Sequence, residues 1–203
     1  MNIFPNLIKR RLDFCIEKLS EVKDEYVVRP GKDFSRNRSL TFQKVIKLLI
    51  TMSDGSISKE LLDFFDLDIK TPTASGFIQQ RNKLKPGAFL YLLHKFIGTY
   101  KKIKTFKGYR LLAVDGSKVI IPTNPNDPET YLLNKKESKG HNMLHINALY
   151  DICNKLYLDA TIQTYRKMNE FKGLVEMITR SPLIGKVILV ADRGYESYNN
   201  IAH

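Results

Sequence analysis

VILVADRGY, residues 187–195, decides how this chain folds. An apolar, β-branched run delivers one aspartate, Asp192, and then Arg193, Gly194 and Tyr195. That composition predicts a short buried strand with a carboxylate at its end. The stretch before it, NEFKGLVEMITRS (169–181), has the spacing of an amphipathic helix. A strand that follows a helical crossover can lie parallel to an earlier strand. The matching earlier run is RLLAVD (110–115), also apolar and also ending in an acid. Asp115-Gly116 suits a tight turn, which would return the chain as KVIIP (118–122). TNPNDPETY and NKKESKG read as loop. HINALYDI (145–152) and KLYLDATIQT (155–164) give strands on either side of Asn154. The order reads β-β-β-α-β, with VILV as a partly bare sheet edge.

If VILVAD lies beside RLLAVD, Asp115 and Asp192 emerge together at the carboxyl ends of adjacent strands. Ligands of open α/β sheets sit at that edge. Two neighbouring carboxylates repel each other and persist as anions when a cation lies between them. Mg²⁺ suits such a pair, since it takes oxygen ligands and commonly uses one or two carboxylates with phosphate oxygens. Paired ions of this kind hold the attacking and leaving oxygens of a phosphodiester in line. A plainer reading stands beside this one. Asp-Gly is a common turn pair, and an aspartate before Arg-Gly can simply cap the turn after a strand.

The charge points the same way. Thirty-three Lys and Arg against 21 Asp and Glu give +12 and a pI near 9.6. Residues 1–105 hold 20 of the basic and 11 of the acidic groups. Such a surplus favours polyanions through phosphate contacts and counterion release, although a solvated basic surface gives the same count. No apolar run reaches the roughly 18 residues that span a bilayer. The N-terminus has no signal-peptide core, so a cytoplasmic location is expected and no membrane partner. Cys15 and Cys153 are too few for a disulfide scaffold. No G-x-x-x-x-G-K-[ST] loop supports nucleotide hydrolysis. His141 and His145 lack a third zinc ligand at suitable spacing.

The first half reads as helices at 6–22, 41–52, 58–66, 73–84 and 88–103, with Ser58 and Thr73 as N-caps. Leu7, Ile8, Leu12, Ile16 and Leu19 form one apolar face, and Phe42, Val45, Ile46, Leu49 and Ile50 another. Phe42, Phe64, Phe65, Phe77 and Phe89 fall at core positions. The helices at 41–52, 58–66 and 73–84 have the lengths of a helix-turn-helix-like bundle. Gln79, Gln80, Arg81, Asn82, Lys83 and Lys85 would then reach base edges or phosphates. Lys32, Arg36 and Arg38, just ahead, would grip the backbone. A solvated helix face explains the same residues.

These motifs together resemble the DDE transposases of bacterial insertion sequences, specifically the insertion-sequence-four group. LLAVDGS resembles its first acid, and LVADRGYESYNN its second. HINALYDICNKLYLDATI and the helix-opening Asn169-Glu170 resemble the segment between. TPTASGFIQQRNKLKPGAFLYL resembles its N-terminal region. The resemblance implies an α/β (α+β) fold: a helical DNA-binding region over 1–105, then an incomplete RNase H-like mixed sheet over 106–203. It implies DNA transposition with Mg²⁺ or Mn²⁺ held by Asp115 and Asp192, and Arg193 and Tyr195 as DNA or site-ordering neighbours. The group's third acid, a glutamate in Y-R-E-K, has no counterpart. Glu196 lies too close to Asp192, and Glu170 fits the acid-favouring first turn of a helix. The expectation is a truncated transposase, nucleoid-associated, that binds double-stranded transposon ends and is inactive alone. Its partner would be a second copy or a C-terminal transposase fragment. The alternative is a non-catalytic DNA-binding protein, such as a repressor of the intact enzyme.

Overall fold

A computed structural model describes residues 3–36, 38–133, 139–181 and 185–195. The chain divides into two compact units, Met1–Thr99 and Tyr100–His203. Residues 134–138 of the expected NKKESKG loop, and Glu196, lie outside the described residues.

The first unit is helical: α1 (Ile3–Glu21), α2 (Phe42–Thr51), α3 (Ile57–Phe64), α4 (Ala74–Arg81) and α5 (Gly87–Gly98). Its core has two clusters that meet at α2. Phe42 and Ile46 pack with Cys15, Ile16 and Leu19 of α1 and Ala88 and Leu92 of α5. Val45 and Leu48 pack with Leu61 of α3 and Phe77 of α4. Two buried faces on one helix explain why Leu48 is buried whereas Ile50 is exposed, against the single expected stripe. Leu7, near the start of α1, is exposed, as is Phe89, which lies one position past the buried Ala88. Thr41, Ser56 and Thr73 cap α2, α3 and α4, their hydroxyls accepting from Lys44, Lys59 and Gly76 N–H. Ser58, the expected cap of α3, falls inside its first turn. Ser56 has the extended backbone a cap needs.

A bridge between Val27 and Leu84 ties the segment after α1 to the end of α4. Val28 N–H donates to Lys83 O, and Lys85 N–H donates to Tyr26 O, both at 2.9 Å. The basic loop 29–38 therefore starts beside the last turn of α4.

The second unit is a mixed sheet: β1 (Arg110–Ile121), β2 (Tyr131–Leu132), β3 (His141–Asp151), β4 (Leu156–Thr164) and β5 (Val187–Ala191), with α6 (Glu170–Arg180) before β5. Among the long strands the order is β4-β3-β1-β5. β1, β3 and β4 pair antiparallel, and β5 runs parallel to β1. The result is a mixed α/β unit, as expected, with one parallel strand pair on an otherwise antiparallel sheet.

The expected turn at Asp115-Gly116 does not form. β1 runs straight through, pairing Asp115 with Ala148 and Gly116 with Asn147. A type I′ turn needs positive φ at both central residues, and neither has it. β3 begins at His141 rather than 145 and offers β1 a partner along its length, so breaking the strand would forfeit ladder hydrogen bonds. Paired residues share a face of the sheet. Leu112, Val114 and Gly116 share one with Asn147 and Leu149. Against this face α6 buries Gly173, Leu174 and Met177. Arg180 of α6 reaches the buried Asp159 of β4 at 2.7 Å. Ala113, Asp115 and Ser117 share the other face with Tyr150, Ala148 and Ile146. On β5, Val187, Ile188, Leu189 and Val190 are all exposed.

Candidate functional site

Two strands bring the acids together. The β1–β5 ladder closes at Val114↔Ala191, so the next residue on one strand is Asp115 and on the other Asp192. Neighbouring strands stand about 4.8 Å apart. β1 continues to Ile121 while β5 stops, so Asp115 lies within a strand and Asp192 at the end of one. Both are exposed. Each carboxylate accepts the N–H that follows it: Gly116 N–H donates to Asp115 Oδ1 at 2.8 Å, and Arg193 N–H donates to Asp192 Oδ1. One oxygen of each is thus anchored locally. Asp115 also borders an open cavity of about 720 Å³ on the face away from α6, with Ser117, Tyr150 and Lys155 on its walls.

Behind the acids lies a polar network. After Asp192 the chain makes one turn, Arg193–Tyr195, with Tyr195 N–H donating to Asp192 O at 3.0 Å. Arg193 is exposed beside the acid pair, whereas Tyr195 is 4% exposed. The Tyr195 hydroxyl donates to Asn147 Oδ1 at 2.8 Å. Burial pushes this phenol's pKa well up, and the charges of Glu170, Asp115 and Asp192 add to the shift. His145 Nε2 lies 3.2 Å from the same Asn147 Oδ1 and 3.4 Å from Glu170 Oε1. Glu170 stands in the first turn of α6, as its position in sequence suggests.

Sequence reasoning missed Asn147 and this use of His145. The signal was there: β3's buried face reads His145, Asn147, Leu149, Asp151, where an apolar strand would show aliphatic residues. Among the described residues, no group of three or more His, Cys, Asp or Glu is placed to hold a metal ion. Nor, among them, is any helix long and apolar enough to cross a membrane.

In the first unit, Arg36, Arg38 and Lys83 line one polar cavity of about 400 Å³, together with Arg29, Lys32 and Gln80. Asp33 shapes its wall. It is 2% exposed and accepts from Arg29 N–H at 2.9 Å and from the Arg29 guanidinium at 3.1 Å. Gln80 Oε1 accepts from Lys83 Nζ at 2.9 Å. Gln79, Arg81 and Lys85 are exposed and do not line this cavity. Lys85 Nζ donates to Glu25 O. Arg29 and its partner Asp33 were not singled out in the sequence, although Arg and Asp four apart around Pro30-Gly31 mark a pinned turn.

The second unit is thus a mixed sheet whose parallel strand pair presents two exposed carboxylates side by side. Residues 106–203 match the family model of the transposase DDE domain, which supports a DDE transposase. No curated protein and no solved structure matches the chain.

Proposed function

We propose that the chain acts in DNA transposition of the insertion-sequence-four type, with Asp115 and Asp192 as metal ligands and the helical unit as its DNA-binding part. The observation that carries this is the register Val114↔Ala191, which makes the two acids neighbours. The donor set fits a hard cation: both acids are exposed, and each has one oxygen tied to the backbone and one left over. Mg²⁺ or Mn²⁺ bound there would stabilise the charge that develops on phosphate oxygens during strand cleavage or joining. Arg193, exposed next to Asp192, would meet the DNA backbone close to the reacting phosphate.

The cavity lined by Arg36, Arg38 and Lys83 supports phosphate contacts in the first unit, with Arg29 and Lys32 adding charge. Gln79, Arg81 and Lys85 would contact the same duplex from the end of α4. The ligand is double-stranded DNA at transposon ends, and a second copy of the chain would bind the second end. With only these two acids to hold a metal, the chain assayed alone would bind DNA but not cut or join it. Its place would then be on the bacterial nucleoid.

The test is calorimetric titration of the full chain with Mn²⁺, beside duplex binding at several salt concentrations. Mn²⁺ binding that is lost in Asp115→Asn and in Asp192→Asn, with DNA binding kept, is the expected result. A repressor-like binding protein would bind DNA equally well with no metal affinity for those substitutions to remove. Full strand transfer by the 203-residue chain would overturn the inactivity reading.

A further inference from the structure

We propose that Tyr195 is a positioning residue: its hydroxyl, latched to Asn147, holds Asp192 beside Asp115. The proposal rests on the reading of that pair as metal ligands, but the latch has a readout of its own.

Asp192 needs such a device. Ala191 is the last β5 residue in the ladder, and β5 pairs with β1 alone among the described strands. A carboxylate just past the end of an edge strand would fray with it. Tyr195 counters this by turning inward. Arg193 is exposed, yet two positions on the phenol ring is buried and its hydroxyl donates 2.8 Å to a central strand.

The anchor is rigid. Asn147 is fully buried in β3, which is paired on both sides, by β1 and β4. Its Oδ1 accepts from Tyr195, and His145 Nε2 stands 3.2 Å away to donate a second hydrogen. That arrangement requires the His145 tautomer protonated at Nε2. Asn147 Nδ2 is buried without a partner among the described residues. Leaving an amide unpaired is costly, and an aliphatic residue would pack there without that cost. The asparagine is therefore explained by its acceptor oxygen. Two glycines make room for the arrangement. A Cβ on Gly173 would come within 2.8 Å of Asn147 Nδ2, and one on Gly116 within 2.7 Å of both Glu170 and His145.

Tyr195→Phe keeps the ring and removes the latch. In the metal-free full chain, amide hydrogen exchange at Arg193 and Tyr195 should quicken at least tenfold. Mn²⁺ affinity, by calorimetry, should weaken about tenfold, the range seen when a group that orients a metal ligand is lost. Asn147→Leu should do the same, and the double variant should lose no more than either single one. A residue that merely packs would lower the melting temperature and leave both quantities at wild type. That result, or faster exchange with unchanged Mn²⁺ affinity, overturns the proposal. If the wild type binds no Mn²⁺, the metal reading falls and exchange alone judges the latch: faster exchange supports it, unchanged exchange rejects it.

Discussion

A methyl group added at position 116 would sit 2.7 Å from Glu170 Oε1 and equally close to the His145 ring. The Glu170 carboxylate, a third exposed, can swing away, but the His145 ring is buried in β3 and cannot retreat far. Gly116→Ala should therefore cost about 1–3 kcal/mol of stability by overpacking, measured as a shift in urea midpoint. A type I′ turn would also resist alanine, through its positive φ, but only in the observed strand should His145→Ala relieve part of the cost. The sequence misleads here for a physical reason. The demand for glycine comes from side chains far along the chain, and a dipeptide carries no sign of them. Tyr195 gives a second consequence. Its pKa is raised on folding, so its contribution to stability is full below the ordinary tyrosine value near 10. That contribution is lost as pH rises beyond it, because only the unfolded state ionises readily. Alkaline unfolding of Tyr195→Phe should show a shallower fall above pH 10 than wild type, followed by far-UV circular dichroism.

Helices and strands were legible to different degrees. The starts of α4 and α6 were legible in Thr73 and Asn169, which the structure uses as caps, whereas Thr41, the cap of α2, was not singled out. At α3 the sequence reading took Ser58 as the cap, whereas the extended backbone at Ser56 makes that residue the cap. Ser56→Ala should cost about 1 kcal/mol by thermal unfolding and Ser58→Ala close to nothing. The parallel pairing of β5 with β1 was legible because a helix stands between them, and a crossover leaves few topologies. The polar face under α6 was not. Arg180 and Asp159 meet only once α6 packs on β4. Asp159 is 1% exposed, so Arg180→Ala strips two charge-assisted hydrogen bonds from a buried carboxylate. A loss of about 2–3 kcal/mol in urea unfolding is expected.

Across the whole molecule, the proposed reading divides the labour between the two units, with DNA gripped by the helical one and phosphate chemistry placed on the sheet. The basic loop and the end of α4 were legible as separate basic stretches. Their union in one cavity was not, because it depends on the Val27–Leu84 bridge between distant segments. If that cavity grips phosphate, Lys83→Ala should weaken duplex binding for all sequences alike. It should also reduce the slope of log K against log salt by about one. The central claim is that Asp115 and Asp192 share one ion, and a double-mutant cycle on Mn²⁺ affinity addresses it most directly. Calorimetric titration of wild type, Asp115→Asn, Asp192→Asn and the double variant should give strongly non-additive losses, with the double variant no weaker than the weaker single one. Losses that simply add, or singles that bind Mn²⁺ as wild type does, would contradict a shared metal site.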